Sequence, residues 1–194
     1  MVTDTAFVQQ QVEDIQALTE HVKGHFSSLT ETQLNFKAHP DQWSVGQCFD
    51  HLLVTNALYD QVFAELAAGT YQHTLWQKMP GLPGMFGRML IKSLGRVPKS
   101  KSKSPKPFRP SSSNIPGDIV TNFLAHQPNL EAKLKKLSEL DLDKTIISSP
   151  ASAMITYSLR DAMTIIVNHE YRHVYQAEQI MKHQAFPSSH QETA

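Results

Sequence analysis

The 194-residue chain carries 18 basic and 18 acidic residues, and this balance excludes a global electrostatic pull towards nucleic acid. A single cysteine, Cys48, excludes an intramolecular disulfide framework. The start, MVTDTAFVQQ, lacks the basic region and apolar run of a signal peptide, and no segment approaches the roughly 20 apolar residues of a bilayer-spanning helix. A cytoplasmic protein without nucleic-acid or membrane partners is therefore expected, with residues 1–194 forming one helical domain.

A period of 3.6 dominates the hydrophobic pattern and no run alternates at period two, so the expected fold class is all-α, a four-helix bundle. The first long helix is predicted over residues 5–28, with an apolar stripe of Val8, Val12, Ile15, Leu18, Val22, Phe26 and Leu29. His21 and His25 are one turn apart on it, but a helical wheel puts them about 115° and about 75° from the stripe's centre. Spacing alone therefore makes no site there. The second helix starts after Trp43, where Ser44 and Gln47 have capping-box spacing, and runs to about Ala68 before Gly69 ends it.

Residues 70–113 form a long connector, enough for a crossover that lets the second and third helices run parallel; the expected topology is up-down-down-up. No acidic residue lies between Glu65 and Asp118, whereas Lys78, Arg88, Lys92, Arg96, Lys99, Lys101, Lys103, Lys106 and Arg109 are all basic. The composition fits a solvated loop containing a short amphipathic helix around Met85, Phe86, Met89, Leu90 and Leu94. Its functional alternative is an anion-attracting lid beside a pocket. The third long helix is predicted from near Asn114, with Pro116 in its first turn, to about Leu140, kinked or broken at Pro128. The fourth opens with Ser158 and Asp161 in capping spacing and ends near His183.

That last helix carries the most informative residues. Its stripe runs through Leu159, Ala162, Met163, Ile166, Val174, Ala177, Ile180 and Met181, and the wheel sets His173 about 30° and His169 about 70° from its centre. Two core-facing imidazoles one turn apart can share a divalent metal, and His51 on the second helix supplies a third nitrogen. Three nitrogens leave open positions, as a catalytic metal requires, for activating water or holding a thiol as thiolate. Glu170, also about 30° from the centre, is the candidate base near the metal. Gln176 is a candidate hydrogen-bond donor to a ligand or substrate. Cys48, one turn before His51, reads first as a small buried hydrophobe, with a fourth ligand or a reactive thiol as alternatives.

The segment WSVGQCFDHL at 43–52, with Trp43-Ser44 and His51-Leu52, and NHEYRHVYQ at 168–176 resemble the DinB-like superfamily of metal-binding four-helix bundles. That group includes bacillithiol transferases, mycothiol-dependent enzymes and members described as metal-dependent hydrolases. The resemblance spans nearly the whole chain. It implies that His51, His169 and His173 hold one divalent transition metal, with zinc or nickel foremost and iron or manganese as alternatives, and that the chain forms a homodimer. Tyr175 stands where many relatives have glycine after the last ligand.

The first function expected is an enzyme acting on a small molecule, either a hydrolase or a low-molecular-weight-thiol transferase. Its alternative is a non-catalytic metal-binding or metal-sensing module. A third reading makes the basic connector a dock for an acidic partner.

Overall fold

The computed structural model describes residues 4–98 and 104–188; Lys99, Lys101 and Lys103 of the connector lie outside the described residues. In chain order come α1 (Asp4–Phe26), α2 (Glu31–Asn35), α3 (Val45–Ala67), a 3-10 turn at Leu75–Lys78, α4 (Leu82–Ser93) and a second 3-10 turn at Lys106–Phe108. Then follow α5 (Ile119–Leu137), the strands β1 (Ile146–Ser149) and β2 (Ser152–Ser158), and α6 (Leu159–Met181). Among the described residues no helix is long and apolar enough to cross a membrane.

The capping signals hold. Gln47 N donates to Ser44 Oγ at 3.2 Å and Ser44 N to Gln47 Oε1 at 3.2 Å, starting α3, while Asp161 N donates to Ser158 Oγ at 3.0 Å, starting α6. Gly69, with φ of 67°, takes the left-handed conformation that stops α3. Three expectations need correction. The third long helix begins at Ile119 instead of near Asn114, because Asn35 clamps Ile115 on both sides: Ile115 N donates to Asn35 Oδ1 at 2.7 Å and Asn35 Nδ2 to Ile115 O at 2.8 Å. Pro116 further disfavours helical backbone at Ile115. Of the kink or break expected at Pro128 the break is absent, since α5 runs through it with the proline on the exposed side of the helix.

The third correction concerns β structure. The chain is mostly helical but holds a small antiparallel sheet, pairing Ile146 with Ser158, Ile147 with Tyr157 and Ser148 with Thr156. A register shift between Ser148 and Ser149 interrupts the pairing, and α4 packs against β2. Short strands with a bulge and a covered face lose the period-two pattern that announces a strand.

α1 and α3 each pack against both α5 and α6. One apolar cluster joins the start of α1 (Val8, Val12, Ile15), the ends of α3 and α5 (Phe63, Leu134) and the start of α6 (Met163, Ile166). The other joins the end of α1 (Val22, Phe26), the starts of α3 and α5 (Phe49, Phe123) and the end of α6 (Val174, Ala177). Between the two clusters the buried positions turn polar: His51, Thr55 and Asn56 on α3, Gln127 on α5, and His169, Glu170 and His173 on α6. The apolar stripes are interrupted at one level of the bundle, and that level holds the site.

Gly46 sets the approach of α3 to the chain before α5. A Cβ there would lie 3.0 Å from Ile115 Cβ and 3.1 Å from Leu34 O. Gly46→Ala is expected to destabilise the protein by about 1–3 kcal/mol through overpacking, checked by urea denaturation with an unchanged m-value.

Candidate metal centre

α3 brings His51, and α6 brings His169 and His173, to one place. Their ligand atoms all lie within 4.8 Å of one another. The ring centroids form a nearly equilateral triangle of 4.8, 4.4 and 4.5 Å, with the rings inclined at 70–74° to each other. The three side chains are 2, 9 and 8 % exposed in sequence order. His21 and His25, the same spacing on α1, behave otherwise: His21 bonds Glu178 at 2.5 Å and stacks on an exposed His25. Facing the core beside a third imidazole separates the two pairs.

Each ring's surroundings fix what it can offer. His51 Nδ1 donates to the carbonyl of Phe108, so its Nε2 carries the lone pair, directed at His169 Nε2 3.1 Å away. His173 Nδ1 is buried without a hydrogen-bond partner. Two imidazole nitrogens facing each other and a third one orphaned in the interior are the donor set that a shared cation would satisfy, so the residues fit a divalent metal. Burial lowers the His51 pKa to about 4, against the raising effects of the Phe108 carbonyl and Asp50. Burial first, then the neighbouring imidazoles and Arg172, hold His169 and His173 well below the usual imidazole range, against a raising effect of Gln176 on His173. All three are thus neutral at pH 7, the form that ligates.

The end of the basic connector is fastened over His51. Besides the Phe108 carbonyl, Ser111 donates to Asp50 through N at 2.5 Å and Oγ at 2.9 Å, and Gln47 Nε2 donates to Ser112 O at 2.9 Å. Trp43 contacts the His51 ring at 4.7 Å and the His173 ring at 5.6 Å between centroids. It also lines a cavity of about 590 Å³ with Asp41, Gln47, Arg109 and Ser111. Sequence reasoning assigned no role to Trp43 or to the Phe108 carbonyl; the first stood within the quoted motif, while a backbone carbonyl leaves no residue-type signal.

The remaining candidates fall outside the triangle. Glu170 is fully buried, and its Oε1 accepts from Asn56 Nδ2 at 2.8 Å and Gln127 Nε2 at 3.2 Å. Among the described residues it has no hydrogen bond to the three histidines. Burial pushes its carboxyl up to about 7, against the lowering effect of those two amides. Gln176 is half-buried beside His173. Cys48 is packed in the apolar cluster, where burial pushes its thiol pKa up and leaves it unreactive.

The family model described as the DinB superfamily matches residues 14–177. The chain belongs to the DinB superfamily. No curated protein and no solved structure matches it. The DinB match covers α3 and α6 as far as Ala177, and with them all three histidines.

Proposed function

We propose that this DinB-superfamily protein is a divalent-metal-dependent enzyme that transfers a low-molecular-weight thiol to a small electrophile, with His51, His169 and His173 as the metal ligands. The observation that carries the reading is the convergence of three neutral, buried imidazoles, one with an orphaned nitrogen. Bound there, zinc or nickel supplies Lewis acidity that brings a thiol's pKa towards neutrality. His51 is oriented by the Phe108 carbonyl, and the Trp43 ring lies against the rings of His51 and His173. The cavity beside Trp43 is lined by none of the three histidines, so it offers space for the distal end of a small molecule, where Arg109 suits a carboxylate.

Thiol transfer is favoured over hydrolysis by the position of Glu170. Hydrolysis needs a proton acceptor beside the metal; among the described residues the convergent ligand atoms include no carboxylate, and Glu170, whose Oε1 is held by Asn56 and Gln127, has only Oε2 left to serve. The same reading takes the four long helices as an up-down-down-up bundle with residues 70–113 as the crossover. It is supported by the two apolar clusters, which join the start of α1 to the end of α3, the end of α5 and the start of α6, and the converse ends to one another.

Cobalt-loaded protein tests the function. Adding 2-mercaptoethanol or L-cysteine is expected to produce a thiolate-to-metal charge-transfer band that His51→Ala lacks, and turnover with a chlorinated aromatic electrophile. A metal-loaded protein that gives neither band nor turnover on thiol and ester panels would be a non-catalytic metal-binding module instead.

A further inference from the structure

Among the described residues, the large apolar side chains left exposed are concentrated in one stretch, between Leu75 and Val97; only Met154 lies elsewhere. Leu75 is 82 % exposed, and Met79, Met85 and Met89 are each close to half exposed. Met154 is on β2, which packs against both the 3-10 turn at Leu75–Lys78 and α4. The exposed groups therefore belong to one assembly of three packed elements.

α4 has two distinct faces. Leu90, Ile91 and Leu94 turn inward against the apolar cluster. Met85, Arg88, Met89 and Lys92, at i, i+3, i+4 and i+7, form one outward stripe of alternating apolar and cationic side chains. Trp76 and Lys78 are also exposed, on the turn just before α4. A solvated face would be polar throughout, so methionines there need a further explanation. The stretch has no acidic residue of its own; Asp161 of α6 sits against the buried Gly87, on the packed side of α4, and Asp14 of α1 pairs with Arg96 beyond the helix.

We infer that this face is a peripheral docking surface for an anionic membrane. α4 lies flat on the lipid, with Met85 and Met89 entering the boundary between headgroups and acyl chains, Arg88 and Lys92 on lipid phosphates, and Trp76 at headgroup level. The expectation of no membrane partner rested on the absence of a spanning segment, and a peripheral contact needs none. A second copy is disfavoured as the occupant, because a two-fold axis through the stripe would oppose Arg88 and Lys92 to themselves with no carboxylate to pair them. The docked face is fastened to the site helix: Arg172 Nη1 on α6 donates to Ser93 O at 3.3 Å and Gly95 O at 3.4 Å.

The test is sedimentation of the full chain with phosphatidylcholine vesicles, with and without about 30 % phosphatidylglycerol, at low salt and at about 0.5 M salt. Binding to the anionic vesicles alone is expected, weakened at high salt and reduced about tenfold by Arg88→Ala/Lys92→Ala and by Met85→Ser/Met89→Ser. Tryptophan emission should shift blue on binding in the wild type and not in Trp76→Phe. Circular dichroism checks that the variants fold. The inference is overturned if the wild type ignores anionic vesicles at low salt, or binds both vesicle types alike. It is equally overturned if the chain proves to be a dimer in ultracentrifugation that Met85→Ser/Met89→Ser dissociates.

Discussion

Protein purified without chelators is expected to carry about one divalent transition metal per chain, and His51→Ala, His169→Ala and His173→Ala should each weaken its binding by more than about 100-fold. The magnitude follows from the ligand count. Among the described residues three imidazoles are the whole of the convergent donor set within 4.8 Å, so losing one leaves two nitrogens and no carboxylate of that set to replace it. The fold should persist in all three variants, because the apolar clusters above and below the polar level do not depend on the rings. Metal should also stabilise the wild type by mass action, by about 2.7 kcal/mol at a hundredfold excess over Kd, and the variants should lose that increment. Elemental analysis beside thermal denaturation with and without chelator makes the measurement. A wild type that takes up no zinc or nickel after reconstitution would reduce the trio to core histidines, and so would variants that keep full stoichiometry.

The histidines were legible because they break an apolar stripe at helical spacing, which a wheel exposes without any tertiary knowledge. The starts of α3 and α6 were legible for a related reason: Ser44 with Gln47, and Ser158 with Asp161, satisfy helix termini through residues only three apart. What escaped depended on distant partners. Asn35 delays α5 by holding Ile115 from 80 residues away, and no local pattern encodes that. β1 and β2 are hidden by their bulge and by the helix that packs on β2. α2 is too short for periodicity, although Thr30 and Gln33 form a capping box of their own. The wheel also set Glu170 in the core correctly, yet its partners Asn56 and Gln127 sit on two other helices. Its place beside His169 in sequence marked it as a candidate base, but its bonds to those two amides, within the polar level that also holds the histidines, could not be read from any local pattern.

That placement has a large expected consequence. Glu170→Ala should destabilise the protein by about 2–4 kcal/mol, because it opens a cavity and strips Asn56 Nδ2 and Gln127 Nε2 of their buried acceptor. Glu170→Gln should be at least as stable as wild type. In the wild type Glu170 Oε2, Asn56 Oδ1 and Gln127 Oε1 are all buried acceptors without a donor. A carboxamide keeps the oxygen that receives both amides and places two N–H groups among these oxygens, and it removes a charge that burial disfavours. Melting temperatures should therefore rank Gln at or above Glu and both far above Ala, with metal content unchanged in the Gln variant. A glutamine variant that melts as low as the alanine one would show that the carboxylate itself is what the layer requires. If instead Glu170→Gln keeps its stability and metal but loses turnover, the carboxyl is moving a proton in the reaction, and hydrolysis becomes the better account of the site.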